Sequence, residues 1–146
     1  MATSIEHASP KEDYHGDKLF GTWSYRSLVN NPDLSASFDS LRFGAGTLSL
    51  SEPAPGKIGG SLGGTGWSLS LERAATDVTP ATLKWQGRGI IDDEEWVYDY
   101  LGYSVPRWLN GVAQIDTIVG KVIRTVAHSN GQSPAGYTAT FYAVRV

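Results

Sequence analysis

Large apolar side chains recur at every second position over much of this chain, and that period of two is the mark of β-strands with one buried face. The cleanest case is Trp67-Ser68-Leu69-Ser70-Leu71-Glu72, with Trp, Leu and Leu on one side and Ser, Ser and Glu on the other. Residues 19–29 behave similarly: Leu19, Gly21, Trp23, Tyr25, Ser27 and Val29 share one face, opposite Phe20, Thr22, Ser24, Arg26 and Leu28. Residues 47–51 alternate, 57–62 form a short strand, and 82–90 set Leu83, Trp85, Gly87 and Gly89 against Thr82, Lys84, Gln86 and Arg88. The most aromatic run is 95–103, Glu-Trp-Val-Tyr-Asp-Tyr-Leu-Gly-Tyr. Residues 113–126 and 137–146 read as two final strands. Residues 34–45 alternate only in part. They fit either a strand or a loop that folds over one end of the fold, carrying Phe38, Leu41 and Phe43.

Turn chemistry separates these runs. Asn30-Asn31-Pro32-Asp33, Glu52-Pro53-Ala54-Pro55-Gly56, Gly63-Gly64-Thr65-Gly66 and Asp92-Asp93-Glu94 are stops of Pro, Gly, Asn and Asp. Residues 74–80 read as a loop, 104–111 as a longer connection and 128–134 as a polar turn. The sum is an all-β chain of about eight strands joined mostly by short turns, with no defensible helix. Sequential hairpins close most simply into an eight-stranded antiparallel up-and-down β-barrel; an open sandwich is the competing architecture. Gly60, Gly87 and Gly89 fall on the inner face, where glycine allows the sharp bending of a small barrel.

Composition narrows the class. With 146 residues the chain fits one domain, assigned to 19–146, after a polar and flexible N-terminal segment at 1–18. That segment carries Glu6, Lys11, Glu12, Asp13 and Asp17 and lacks the apolar stretch of a signal peptide. There is no Cys, which removes disulfides and thiolate metal sites and fits a cytoplasmic setting. A net charge of −3 without a basic cluster argues against nucleic acid as a partner. No run approaches the ~20 apolar residues of a membrane-spanning helix.

Gly21-Thr22-Trp23 resembles the Gly-x-Trp signature of the lipocalins and their calycin relatives, and Tyr98-Asp99-Tyr100 loosely resembles their Thr-Asp-Tyr signature. The resemblance implies a calycin-like barrel that holds a small molecule. It also implies that Trp23 sits at the closed end under an Arg from a late strand, for which Arg124 and Arg145 are the candidates. The avidin-like barrels are similar in architecture only. Enzymes of the cyclase, isomerase or lyase type also occur on calycin-like barrels, so the resemblance permits catalysis in the same cavity, by orientation and by one or two acid/base groups drawn from Asp99, Tyr98, Tyr100 and His128.

The candidate chemistry follows from the inner face. Tyr25, Trp67, Trp85, Trp96, Tyr98 and Tyr100 would wall a pocket for an apolar or aromatic small molecule, or else fill the barrel as plain core. Asp99 depends on register: facing inward among apolar groups it is a candidate acid or base, facing outward it is solvated. His128 is the single His outside the N-terminal segment. It is a candidate base at the barrel mouth or one axial ligand to a haem, and otherwise a turn residue. No metal site and no cofactor is expected. Tyr103, Arg107, Gln114, Asp116 and Arg124, with Tyr100, are close enough in sequence to gather at one rim. A filled barrel serving as a structural module and a homo-oligomer both stay open.

Overall fold

In the computed structural model, which describes residues 10–11, 19–78 and 81–146, eight strands form a closed antiparallel barrel. The barrel strands are β2 (Gly21–Val29), β3 (Arg42–Ser51), β4 (Gly59–Gly64), β5 (Trp67–Val78), β6 (Ala81–Ile91), β7 (Glu94–Ser104), β9 (Thr117–Arg124) and β10 (Thr138–Arg145). Each pairs with its neighbour in sequence, and β10 closes the ring by pairing with both β9 and β2. Two short strands, β1 (Pro10–Lys11) and β8 (Arg107–Trp108), pair with each other outside the barrel. Apart from β1, the segment 1–18 lies outside the described residues, and so does the end of the 74–80 stretch. No helix among the described residues is long and apolar enough to cross a membrane.

The period-two pattern sets the inner face as the sequence implies. Trp23, Tyr25 and Ser27 on β2, Leu69 and Leu71 on β5, Leu83 and Trp85 on β6, and Tyr98 and Tyr100 on β7 are buried. The 34–45 stretch combines its two readings. A short 3₁₀ turn at Asp39–Leu41 leads into β3, and Leu34 and Phe38 stay exposed. Two strands differ from the sequence reading. Positive φ at Arg73 (54°) accommodates an irregularity between Glu72 and Ala75, after which β5 resumes pairing with β6, so most of the expected loop is strand. Conversely, β9 begins only at Thr117. Ala113 adopts φ 56°, and Gln114 bonds the backbone N–H and C=O of Trp108 at 2.7 and 2.8 Å, which holds 108–114 as a loop.

Glycine matters where strands approach most closely. At Gly60 (φ 137°) a Cβ would fall 1.8 Å from the Ser49 carbonyl oxygen, and at Gly87 it would press on Leu69 and Tyr100 at 3.1 and 3.2 Å. Gly87 therefore gives the Tyr100 ring its place inside the barrel.

One end of the barrel is sealed around Trp23. Its indole N–H donates to the Leu19 carbonyl at 2.9 Å, and the Arg145 guanidinium lies 4.3 Å above the ring. Arg145 also donates to the Phe20 carbonyl at 2.9 Å and to the Asp116 carboxylate at 3.0 Å. Arg107 donates to the same carboxylate at 2.6 Å. Burial would raise the Asp116 carboxyl, but hydrogen bonds and charge from Arg107 and Arg145 outweigh it and hold it below the ordinary value. Of the two candidate arginines, Arg145 is the one over Trp23.

Candidate functional site

Above the sealed end the barrel is packed by a layer of rings. Trp85 stacks on Tyr100 at 4.5 Å, Tyr25 stacks on Phe141 at 5.6 Å, and Tyr100 meets Phe141 edge-on at 5.8 Å. Tyr25 and Tyr100 of this layer border a cavity of about 200 Å³ that opens at the other end. Its wall is Tyr25, Ser27, Phe43, Gly44, Trp67, Leu69, Trp96, Tyr98 and Tyr100. β7 contributes three of these because Trp96, Tyr98 and Tyr100 all point inward. The same register sends Asp99 out, where it is exposed and accepts a 2.9 Å hydrogen bond from Gln86. The register question at Asp99 is thereby settled, and that carboxylate does not reach the cavity.

Of the six aromatic candidates, Tyr25, Trp67, Trp96, Tyr98 and Tyr100 line the cavity, while Trp85 lies beneath in the packed layer. Phe43, Ser27 and Leu69 complete the wall. Phe43 enters through a β-bulge, because β2 pairs Ser27 with Gly44 and Leu28 with Arg42 and leaves Phe43 as the extra residue. The rim group expected from sequence proximity is divided instead. Arg107 and Asp116 belong to the sealed end, Gln114 ties the loop beside them, Tyr103 is half-exposed outside, and Arg124 stands at the open end.

A polar cluster backs the cavity at Tyr98. The Tyr98 hydroxyl is 2.7 Å from His128 Nε2 and accepts a 3.1 Å hydrogen bond from Arg124 Nε. Because Arg only donates, the single phenolic proton is free to go to His128 Nε2. The imidazole proton then sits on Nδ1, 2.9 Å from the Ser129 hydroxyl. His128 is 4% exposed and stacks face to face on Trp96 at 3.9 Å. The turn that carries it is tied to β7, since the Glu94 carboxylate accepts the backbone N–H groups of Ser129 and Asn130 at 3.0 and 3.2 Å. Burial, and then the neighbouring Arg124 charge, push the His128 pKa below 6.5 against a smaller opposing pull from Glu94, so the ring is neutral near pH 7.

Arg124 is 9% exposed, and among the described residues no carboxylate pairs with it. The faces of Phe43, Tyr98 and Tyr137 surround its guanidinium at 5.0, 5.5 and 5.6 Å, and its Nη1 donates to the Pro134 carbonyl at 3.3 Å. Burial raises the Tyr25 phenol to about 12 and the Tyr100 phenol well above its ordinary value, so both are uncharged donors. Among the described residues, the buried indole N–H groups of Trp85 and Trp96 have no partner, and Trp96 is part of the cavity wall.

Comparison of the chain with protein-family models, with curated proteins and with solved structures finds no match. What this chain does is therefore to be read from the chemistry of the site itself.

The sequence pointed to the aromatic wall through alternation alone. It pointed to His128 only as an isolated residue, and gave no sign of its link to Tyr98, 30 positions away. Arg124, a candidate both for the sealed end and for the rim group, stands at the open end beside Tyr98. A buried Arg on the inner face of β9, in the 118, 120, 122, 124 alternation, was the available signal.

Proposed function

We propose that this chain is a calycin-like binding barrel whose ligand is a small, planar aromatic molecule carrying a hydrogen-bond acceptor. The observation that carries the reading is the ring-walled cavity, open at one end and walled by aromatic side chains. Flat rings favour a flat ligand by stacking and edge contacts. The volume bounds its size: an apolar cavity of about 150 Å³ takes benzene in an unrelated protein, and about 200 Å³ therefore suits one substituted ring or a compact pair of fused rings. An acceptor atom on the ligand would suit the uncharged phenols of Tyr25 and Tyr100 in the wall, and a carbonyl, ring nitrogen or phenolate oxygen would serve.

The test is a titration of the protein with benzoxazole and with 2-naphthol, followed by tryptophan fluorescence. Saturable quenching is the expected result. Ser27→Leu places a larger side chain in the cavity wall and should abolish the response while the barrel circular dichroism is retained. Trp96→Phe, which removes part of one aromatic wall, should weaken binding by roughly fivefold. Absence of a saturable change with either probe, or unaltered binding to Ser27→Leu, would overturn the reading.

A further inference from the structure

Beyond holding a ligand, the cavity has a route for protons. Tyr98 belongs to the cavity wall, its hydroxyl is 2.7 Å from His128 Nε2, and His128 Nδ1 is 2.9 Å from the hydroxyl of the exposed Ser129. These three groups make an unbroken hydrogen-bonded path from the cavity to solvent. Arg124 Nε, 3.1 Å from the Tyr98 oxygen, places a fixed positive charge where a phenolate would form. The Tyr98 oxygen accepts from Arg124 and donates to His128, which leaves one acceptor position open for a ligand. A purely structural network would need neither a neutral imidazole beside the phenol nor an exposed hydroxyl at its far end.

We propose that the cavity is a proton-transfer site, in which Tyr98 removes an acidic proton from a small aromatic substrate and His128 and Ser129 carry a proton to the surface. The inference rests on the binding reading above, and it assigns the substrate class: a compact aromatic with an acidic C–H next to a C=N or C=O group. The reaction class is base-promoted isomerisation or elimination. As the substrate C–H breaks, its proton passes to the Tyr98 oxygen and the phenolic proton passes to His128 Nε2. The C–H electron pair stays on the substrate, as a new π-bond or enolate. His128 then releases its Nδ1 proton through Ser129. Tyr98 is the catalytic residue; His128 acts through it. The charged and titratable neighbours of His128 are Arg124 on β9 and Glu94 and Tyr98 on β7.

The probe is 5-nitrobenzisoxazole, a compact bicyclic aromatic. Loss of its C3 proton breaks the N–O bond, forms a nitrile and releases a coloured phenolate, with no co-reactant. The wild-type chain should turn it over with saturation kinetics. Tyr98→Phe should lower kcat by about 100-fold or more, the scale of a general base, with KM within about threefold. His128→Gln should lower kcat and remove the acidic limb of the pH–rate profile, a change that a packing role would not produce. Asp99→Asn, on the outer surface, should match the wild type. Benzoxazole, which lacks the reactive N–O bond, reports binding separately. If it binds to the wild type and to a folded Tyr98→Phe while turnover is absent or unaltered, the proton-transfer proposal falls and the binding reading stands. If benzoxazole does not bind at all, both fall. Should Tyr98→Phe not fold, an unchanged pH profile in His128→Gln overturns the proposal by itself.

Discussion

Replacing Tyr98 by Phe removes one oxygen atom and strands two buried groups. His128 Nε2 loses the donor at 2.7 Å, and Arg124 Nε loses the acceptor at 3.1 Å. A buried polar group left without a partner costs about 1–3 kcal/mol, and more when charged. Arg124 keeps the Pro134 carbonyl and its aromatic neighbours, so its share belongs at the lower end. The variant in turn no longer has a phenol to desolvate. The net destabilisation worked from these terms is about 2–4 kcal/mol. For a domain of this size that corresponds to a fall in Tm of roughly 5–15 °C. Urea unfolding followed by tryptophan emission is the assay, and the midpoint should drop at constant m-value. Tyr142→Phe is the control: that side chain is 46% exposed on the outer face of β10 and should change stability by no more than about 0.5 kcal/mol. A Tyr98→Phe effect as small as the control's would refute the network as a buried, mutually dependent unit.

The other two predictions concern the ends of the barrel. Arg145→Met should cost about 2–3 kcal/mol, since it removes the cation over Trp23, leaves the Phe20 carbonyl without its side-chain donor and leaves Asp116 with Arg107 alone; guanidinium unfolding that shows less than 1 kcal/mol would contradict Arg145 as the seal of that end. The depressed pKa of His128 makes the unfolded chain bind the proton first as pH falls, so its contribution is complete above pH ~6.5 and is lost as pH drops through the lower folded value. Tm measured between about pH 7.5 and 4.5 should fall more steeply in the wild type than in His128→Gln, and equal slopes would contradict the sign. Asp116 acts at lower pH, below the carboxylate range, so the two windows separate.

Alternation was enough to place the staves and their inner faces. On β2 and β7 one aromatic residue in two favours the register that turns Trp23 and Tyr25, or Trp96, Tyr98 and Tyr100, inward. It failed where long-range partners overrode local preference. Ala113 to Asp116 continues the alternation of β9, yet Asp116 is drawn to Arg107 and Arg145, and the chain turns away from the sheet. At 74–78, turn-like residues extend β5 because β6 supplies hydrogen-bonding partners as far as Val78. The aromatic wall was legible because each strand displays its own share. The Tyr98–His128–Arg124 cluster was not, since it joins β7, β9 and a loop, and no local pattern records which ends of three elements meet. The cavity's size also lay outside the sequence, because it depends on whether rings such as Trp85 and Phe141 fill the middle or reach the mouth.

Seven of the eight strand pairings in the ring join neighbours along the chain, and each can form from a local hairpin or a single connection. The eighth joins β10 to β2, where Ser24 donates to the Val144 carbonyl across a separation of 120 residues. Its loop-closure entropy is the largest in the molecule. Until it forms, β2 and β10 each present a bare edge on which another chain can add a strand. The Arg145 contacts with Trp23 and the Phe20 carbonyl lie at that join. The residues that seal one end of the barrel are thus also the ones that hold its last two edges together.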